Sequence, residues 1–160
     1  MLIERCQEMK KSIQSRFIGV FTYNDDLKVY EANEGKIHWK LDIRNELVDV
    51  DEMLKKAEKL FSCIEEFDKN AKVSIAEKLI DYKNDFWPEY DEDDENLNWD
   101  AVDAGEYDIT KENFQEAITL YDIEIRANEI YCEYDDGDLF VGHRIHAYFD
   151  NNYVLLRADV

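Results

Sequence analysis

The chain is poor in the residues that punctuate or bend a backbone, with one Pro and five Gly in 160 residues. Glycines this few leave no room for a phosphate-cradling loop or a dinucleotide-binding turn, and the patterns GxSxG, SxxK and HExxH are missing too. The longest uncharged run is eight residues, 17–24, and the opening MLIERCQEMKK meets charge at Glu4. Neither a membrane-spanning helix nor a secretory apolar region fits that pattern, so a cytoplasmic protein without membrane contact is expected. The three cysteines, Cys6, Cys63 and Cys132, are odd in number and far apart. They offer no disulfide framework and no CxxC metal or redox motif, and are read as reduced thiols. Basic residues are also scarce, 19 against 39 acids, for a net charge of −20. Such a charge repels phosphate backbones, which excludes nucleic acid as a partner, and favours encounter with a basic protein.

What the chain does have is apolar and aromatic content, 45% and 13%. At this length folding can bury roughly 70% of the unfolded surface, so a single domain over residues 1–160 is expected rather than a disordered acidic chain. Leu2, Cys6, Met9 and Ile13 are spaced for an amphipathic helix over 1–15. Period-two runs then predict strands at 17–23, 27–32 and 36–43, separated by the polar turns Asn24-Asp25-Asp26 and Asn33-Glu34-Gly35. In the third run Ile37, Trp39, Leu41 and Ile43 share one face, while Lys36, His38, Lys40 and Asp42 share the other. Asp49 with Glu52 three residues on reads as a helix start, and the apolar spacing from Met53 to Phe67 predicts a helix over 50–68. A break at Asp68-Lys69-Asn70 is followed by a second helix over 71–86, stopped by Pro88. A short helix over 111–117 is capped by Asp108 or Thr110. Strands are predicted again at 119–127, 129–134, 139–149 and 153–158. Strands, helices, strands in that order read as an α+β fold, with an antiparallel or mixed sheet of about five to seven strands and helices packed on one face.

Between Lys83 and Lys111 lie eleven acids and no base, a stretch read as an acidic loop over 88–108. Aligned as a calcium loop from Asp91, it fails where Asn96 stands for the required Gly and Val102 for the bidentate Glu. No metal and no cofactor are therefore expected. The other use of such a stretch is docking: Asp91, Asp93, Asp94 and Glu95 would steer a basic protein, with Trp99, Tyr90 and Tyr107 as apolar anchors. His143 and His146 form an HxxH pair, but three residues apart on a strand they point to opposite faces and cannot chelate one metal. His143, alternating with Val141, Ile145 and Phe149, is read as a half-buried structural histidine, with a binding residue or a base as the alternatives. His146 falls on the wetter face with Arg144 and Tyr148. Cys132, alternating with Ile130 and Tyr134, is read as a small core residue.

The segment Tyr134-Asp-Asp-Gly-Asp-Leu-Phe-Val-Gly-His-Arg-Ile145 resembles the signature YDDGDLFxGHxI of a bacterial domain family of unknown function. Supporting stretches occur in the same order: Gly19-Val-Phe-Thr, Glu34-Gly-Lys-Ile-His-Trp39, Ala76-Glu-Lys-Leu-Ile80 with Asn84-Asp-Phe-Trp87, Thr110-Lys-Glu-Asn-Phe114 and Ile123-Glu-Ile125. The resemblance covers roughly residues 17–150, departs from the family mainly at the acidic loop 89–100, and carries over no activity, cofactor or catalytic residue. By size, acidity and layout the chain is also similar to bacterial immunity proteins, which neutralise toxins by binding them; this is analogy. Read physically, Asp135, Asp136 and Asp138 around Gly137 make a tight acidic turn, after which Leu139 and Phe140 re-enter the sheet. That turn is either structural or a small functional surface where the acids, Phe140 and His143 converge. The expected function is protein binding, not catalysis; the alternative is an enzyme of unknown reaction sited at this hairpin.

Overall fold

The computed structural model describes residues 10–45, 48–87, 99–100, 105 and 108–160. Among them are eight strands and three helices: β1 (Ser12–Ser15), β2 (Gly19–Asn24), β3 (Val29–Glu34), β4 (Ile37–Asp42), α1 (Val50–Ser62), α2 (Ile64–Phe86), α3 (Lys111–Ala117), β5 (Thr119–Ile125), β6 (Ile130–Asp135), β7 (Ile145–Phe149) and β8 (Leu155–Asp159). The strands form one mixed sheet in the order β1 to β8. Every neighbouring pair is antiparallel except β4 and β5, which run parallel with His38 opposite Asp122 and Leu41 opposite Ile125. The parallel pair follows from the connection, because a chain that leaves β4 through helices before returning beside it can re-enter in the same direction. The α+β reading holds, with one strand more than the expected upper count.

The extra strand lies inside the expected N-terminal helix. Residues 1–9 are outside the described residues, but Ser12–Ser15 is extended and pairs with β2, Ile13 opposite Phe21. Ser15 explains the choice. Its hydroxyl accepts from the N–H of Phe17 (3.2 Å) and Ile18 (3.1 Å) and donates to Glu58 on α1 (2.8 Å), so it turns the chain into β2 and ties it to the helix layer.

The break between the long helices is also displaced, from Asp68–Asn70 to Cys63. In an unbroken helix the Cys63 N–H would meet the Lys59 carbonyl. That carbonyl instead accepts from the Ser62 hydroxyl (2.6 Å) and the Cys63 thiol (3.5 Å), and the Cys63 N–H donates to Leu60 (3.1 Å). Asp68 is meanwhile held within α2 by Lys72 one turn on (3.3 Å) and by the Tyr134 hydroxyl (3.0 Å), so no break occurs there. The expected caps stand: the Asp49 carboxylate accepts from the Asp51 N–H at the start of α1, and the Thr110 hydroxyl from the Asn113 N–H at the start of α3.

The alternation expected in β4 is present. Trp39 and Leu41 are buried, and Ile37 and Ile43 pack on the core edge. The core joins them to Ile123, Ile125, Cys132, Tyr134, Ile145, Ala147 and Phe149 of the later strands and to Met53, Ala57, Leu60, Phe67, Ile75 and Phe114 of the helices. Burial drives the Cys132 thiol well above its usual range, which makes it an inert core residue, as expected.

Candidate functional site

The signature segment is a loop wound around one carboxylate. Asp136 is 3% exposed, and its side chain accepts from three backbone N–H groups: Asp138 (3.1 Å), Phe140 (2.9 Å) and Gly142 (2.9 Å). Asp135 accepts from the Gly137 N–H (2.9 Å), and turn bonds link Leu139 to Asp136 and His143 to Phe140. These contacts correct the expected strand 139–149. Two amides that the expected strand would need for its ladder, those of Phe140 and Gly142, are spent on Asp136, so the chain runs through turns as far as Gly142 and β7 begins only at Ile145. Four residues in the loop have positive φ: Gly137, Asp138, Val141 and Gly142.

Phe140 is fully buried. Its ring stacks on Tyr82 (6.0 Å between centroids) and meets Trp87 (5.6 Å) and Phe114 (6.0 Å) edge-on, so the loop is nailed to the end of α2 and to α3. His143 departs from its expected place. It lies in the loop rather than in β7, is exposed, and packs its ring against Trp87 at 5.6 Å. Asp136 is thus buried on its own loop's amides, while His143 is exposed against Trp87. His143→Ala is therefore expected to change stability by less than about 0.5 kcal/mol, the usual range for surface positions, as read from urea melts. At Val141, 67% exposed with φ +55, a β-branched side chain sits in the left-handed region. Val141→Asn is expected to raise stability by about 1 kcal/mol, because Asn tolerates that conformation and little packing is lost.

The remaining sequence-predicted residues divide. Asp135 and Asp138 are exposed on the same loop. Asp91, Asp93, Asp94 and Glu95, with most of the acidic loop, lie outside the described residues. Trp99 is described and is 39% exposed. The two ends of the acidic stretch are fixed beside the signature loop. Trp87 ends α2, and its carbonyl accepts from the buried Lys83 ammonium (3.2 Å). Burial pulls the pKa of that ammonium down, against the pull of Asp108. At the other end Asn84 brackets Ile109, accepting from its N–H (3.0 Å) and donating to its carbonyl (3.2 Å).

Between these ends α2 presents an aromatic ledge that sequence reading missed. Tyr82 and Phe86 are 42% and 60% exposed, with ring centroids 5.5 Å apart. The i,i+4 spacing is legible in the sequence, but Phe86 and Trp87 follow one another at the end of the apolar period, and periodicity does not say which of them meets the core. Only Trp87 turns inward.

A polar row across the sheet also went unrecognised. It runs His38, Asp122, Glu133, His146 over four neighbouring strands. Asp122, 5% exposed, faces Lys40 at 3.1 Å and His38 at 3.7 Å. Burial works against the Lys40 charge, but Asp122, Glu124 and Glu31 outweigh it and raise its pKa. Next to it, Arg126 pairs with Glu124 (2.7 Å) and Glu129 (2.9 Å). No group of three His, Cys, Asp or Glu side chains among the described residues is placed to hold a metal.

No helix among the described residues is long and apolar enough to cross a membrane. No curated protein and no solved structure matches the sequence. A family model does match, over residues 15–160, and so takes in all eight strands but the first residues of β1, the aromatic ledge and the whole loop around Asp136. The chain belongs to that family, described as an uncharacterized protein conserved in bacteria (DUF2262).

Proposed function

We propose that the protein acts by binding a basic protein partner, and that the docking surface is the aromatic ledge at the end of α2 together with the acidic stretch anchored on either side of it. The observation that carries this reading is the exposure of Tyr82 and Phe86 on a backing of buried Phe140 and Trp87. Large rings held rigid from behind and open in front supply affinity at low entropic cost. Asp81 and Asp85 on the same helix end and Asp135 and Asp138 on the loop are exposed around them. With eleven acids from Asp85 to Asp108 in the chain, the complementary surface is cationic. A cytoplasmic, immunity-like role is the narrower form of this proposal, supported by charge, size and unpaired Cys63 and Cys132.

Catalysis at the signature hairpin is the weaker reading, because the Asp136 oxygens already accept from three backbone amides and the exposed His143 ring packs against Trp87. The test is affinity capture with the wild type and with a Tyr82→Ala/Phe86→Ala double variant that melts within about 1 kcal/mol of it. A partner with a basic binding face, retained by the wild type and lost by the variant, is the expected result. Equal capture by both would remove the ledge from the interface.

A further inference from the structure

Among the described residues, every aromatic ring covered by a cation is covered by an arginine. Arg126 lies over Tyr131 at 4.5 Å, Arg144 over Tyr121 at 3.9 Å and Arg157 over Tyr148 at 3.8 Å. Lysine makes no such contact there, although the chain has more lysines than arginines. Arg126 shows the reason. While its guanidinium covers Tyr131, its N–H groups reach Glu124 (2.7 Å) and Glu129 (2.9 Å). A planar fork with donors around its edge can meet a ring with its face and a carboxylate with its rim at the same time, which the compact ammonium of lysine cannot do.

The ledge at the end of α2 offers the same two components, ring and carboxylate, with no cation between them. Tyr82 stacks on Phe140 with 25° between the ring planes, so one side of it is taken by the core, yet the residue is 42% exposed. Phe86 stands 5.5 Å away, tilted by 42°. Asp85 is exposed three residues after Tyr82 on the same helix, a spacing that makes the two side chains neighbours on the helix surface. Among the described residues no cation covers either ring and none pairs with Asp85. Lys78 is exposed one turn before Tyr82 and repels a second cation from that side, so the half of the ledge open to a cation is the half flanked by Asp85.

We propose that the ledge reads arginine: a guanidinium of the partner lies over Tyr82 with its rim on Asp85, and Phe86 packs against the methylene stem. The inference rests on the docking surface proposed above and narrows the basic partner to one that presents an arginine, rather than a lysine, at the centre of its binding face. Charge complementarity selects a cationic occupant, since the chain carries −20, and the pairing of an open ring with a free carboxylate selects among cations.

The test titrates capped tri-arginine and tri-lysine peptides into the full chain at one ionic strength, followed by NMR of the aromatic side chains. The two peptides carry the same charge, so attraction to the acidic chain is common to both and local recognition alone separates them. Tri-arginine should shift the Tyr82 and Phe86 rings and bind about fivefold more tightly than tri-lysine, the weight of one exposed cation–π contact. Asp85→Asn and Tyr82→Leu should each bring that preference close to unity. Glu77→Gln, which removes an exposed charge two turns before Asp85, should weaken both peptides alike and leave the preference intact. Asp85 is exposed, so its variant decides the matter even if Tyr82→Leu does not fold. Equal affinities of the two peptides for the wild type, or a preference that survives Asp85→Asn, would overturn the arginine reading, while docking on the ledge would still stand or fall by capture of the partner.

Discussion

Asp136→Ala is expected to cost about 4 kcal/mol, nearly half the stability of an ordinary domain. Three backbone amides would lose their acceptor together, those of Asp138, Phe140 and Gly142, and the Phe140 amide is buried. Hydrogen bonds to a charged group contribute about 1.5–3 kcal/mol each, but Gly142 and Asp138 are exposed enough for water to replace part of the loss, so the sum falls short of three full contacts. Loosening the loop also frees Phe140 from its place among Tyr82, Trp87 and Phe114. Asp136→Asn, which keeps one carbonyl oxygen, should fall between alanine and wild type. Urea unfolding measures both, and a thermal midpoint lower by about 10 °C should accompany the alanine change at this chain length. A loss below about 1 kcal/mol would mean that Asp136 does not organise the loop.

Gly137→Ala should cost about 3 kcal/mol through two effects that can be separated. A methyl group at Gly137 would stand 2.3 Å from the Ala117 carbonyl oxygen and 2.9 Å from its carbon, at the end of α3, and φ is +56. Backbone cannot give way there as a flexible side chain could. Gly35 is the control, with φ +62 and nothing within 4 Å of an added methyl group. Gly35→Ala should show only the conformational penalty, about 1 kcal/mol. The excess at Gly137 then measures how closely the signature turn is pressed against α3. Equal losses at the two sites, again from urea melts, would deny that contact.

These two residues show why the segment was recognisable but not interpretable as sequence. The string DDGDLFxGH announces a tight acidic turn, and the spacing around it announces strands, yet nothing local says that Asp136 faces inward. That is settled by where its three amides find an acceptor, which depends on Ala117 and Phe114 arriving from another part of the chain. For the same reason His143 was drawn into a strand. Its alternation with Ile145 and Phe149 is real, but the amides before Ile145 had already been claimed. The helix break at Cys63 shows the same competition on a smaller scale, with two side chains taking the Lys59 carbonyl from the backbone. Elements governed by their own periodicity and caps, such as β4, α3 and the start of α1, were legible because no distant group contests them. The polar row over β4 to β7 was not, since its partners meet only through strand register.

The proposal that the acidic stretch and the ledge act as one docking surface is tested most directly by the association rate with the captured basic partner, measured against ionic strength. Wild type is compared with a variant neutralised at Asp91, Asp93, Asp94 and Glu95. Steered association should slow steeply as the Debye length shrinks below about 10 Å, and the neutralised variant should associate about tenfold more slowly at low salt and depend less on salt. Rates that are equal for the two proteins and indifferent to salt would contradict the account.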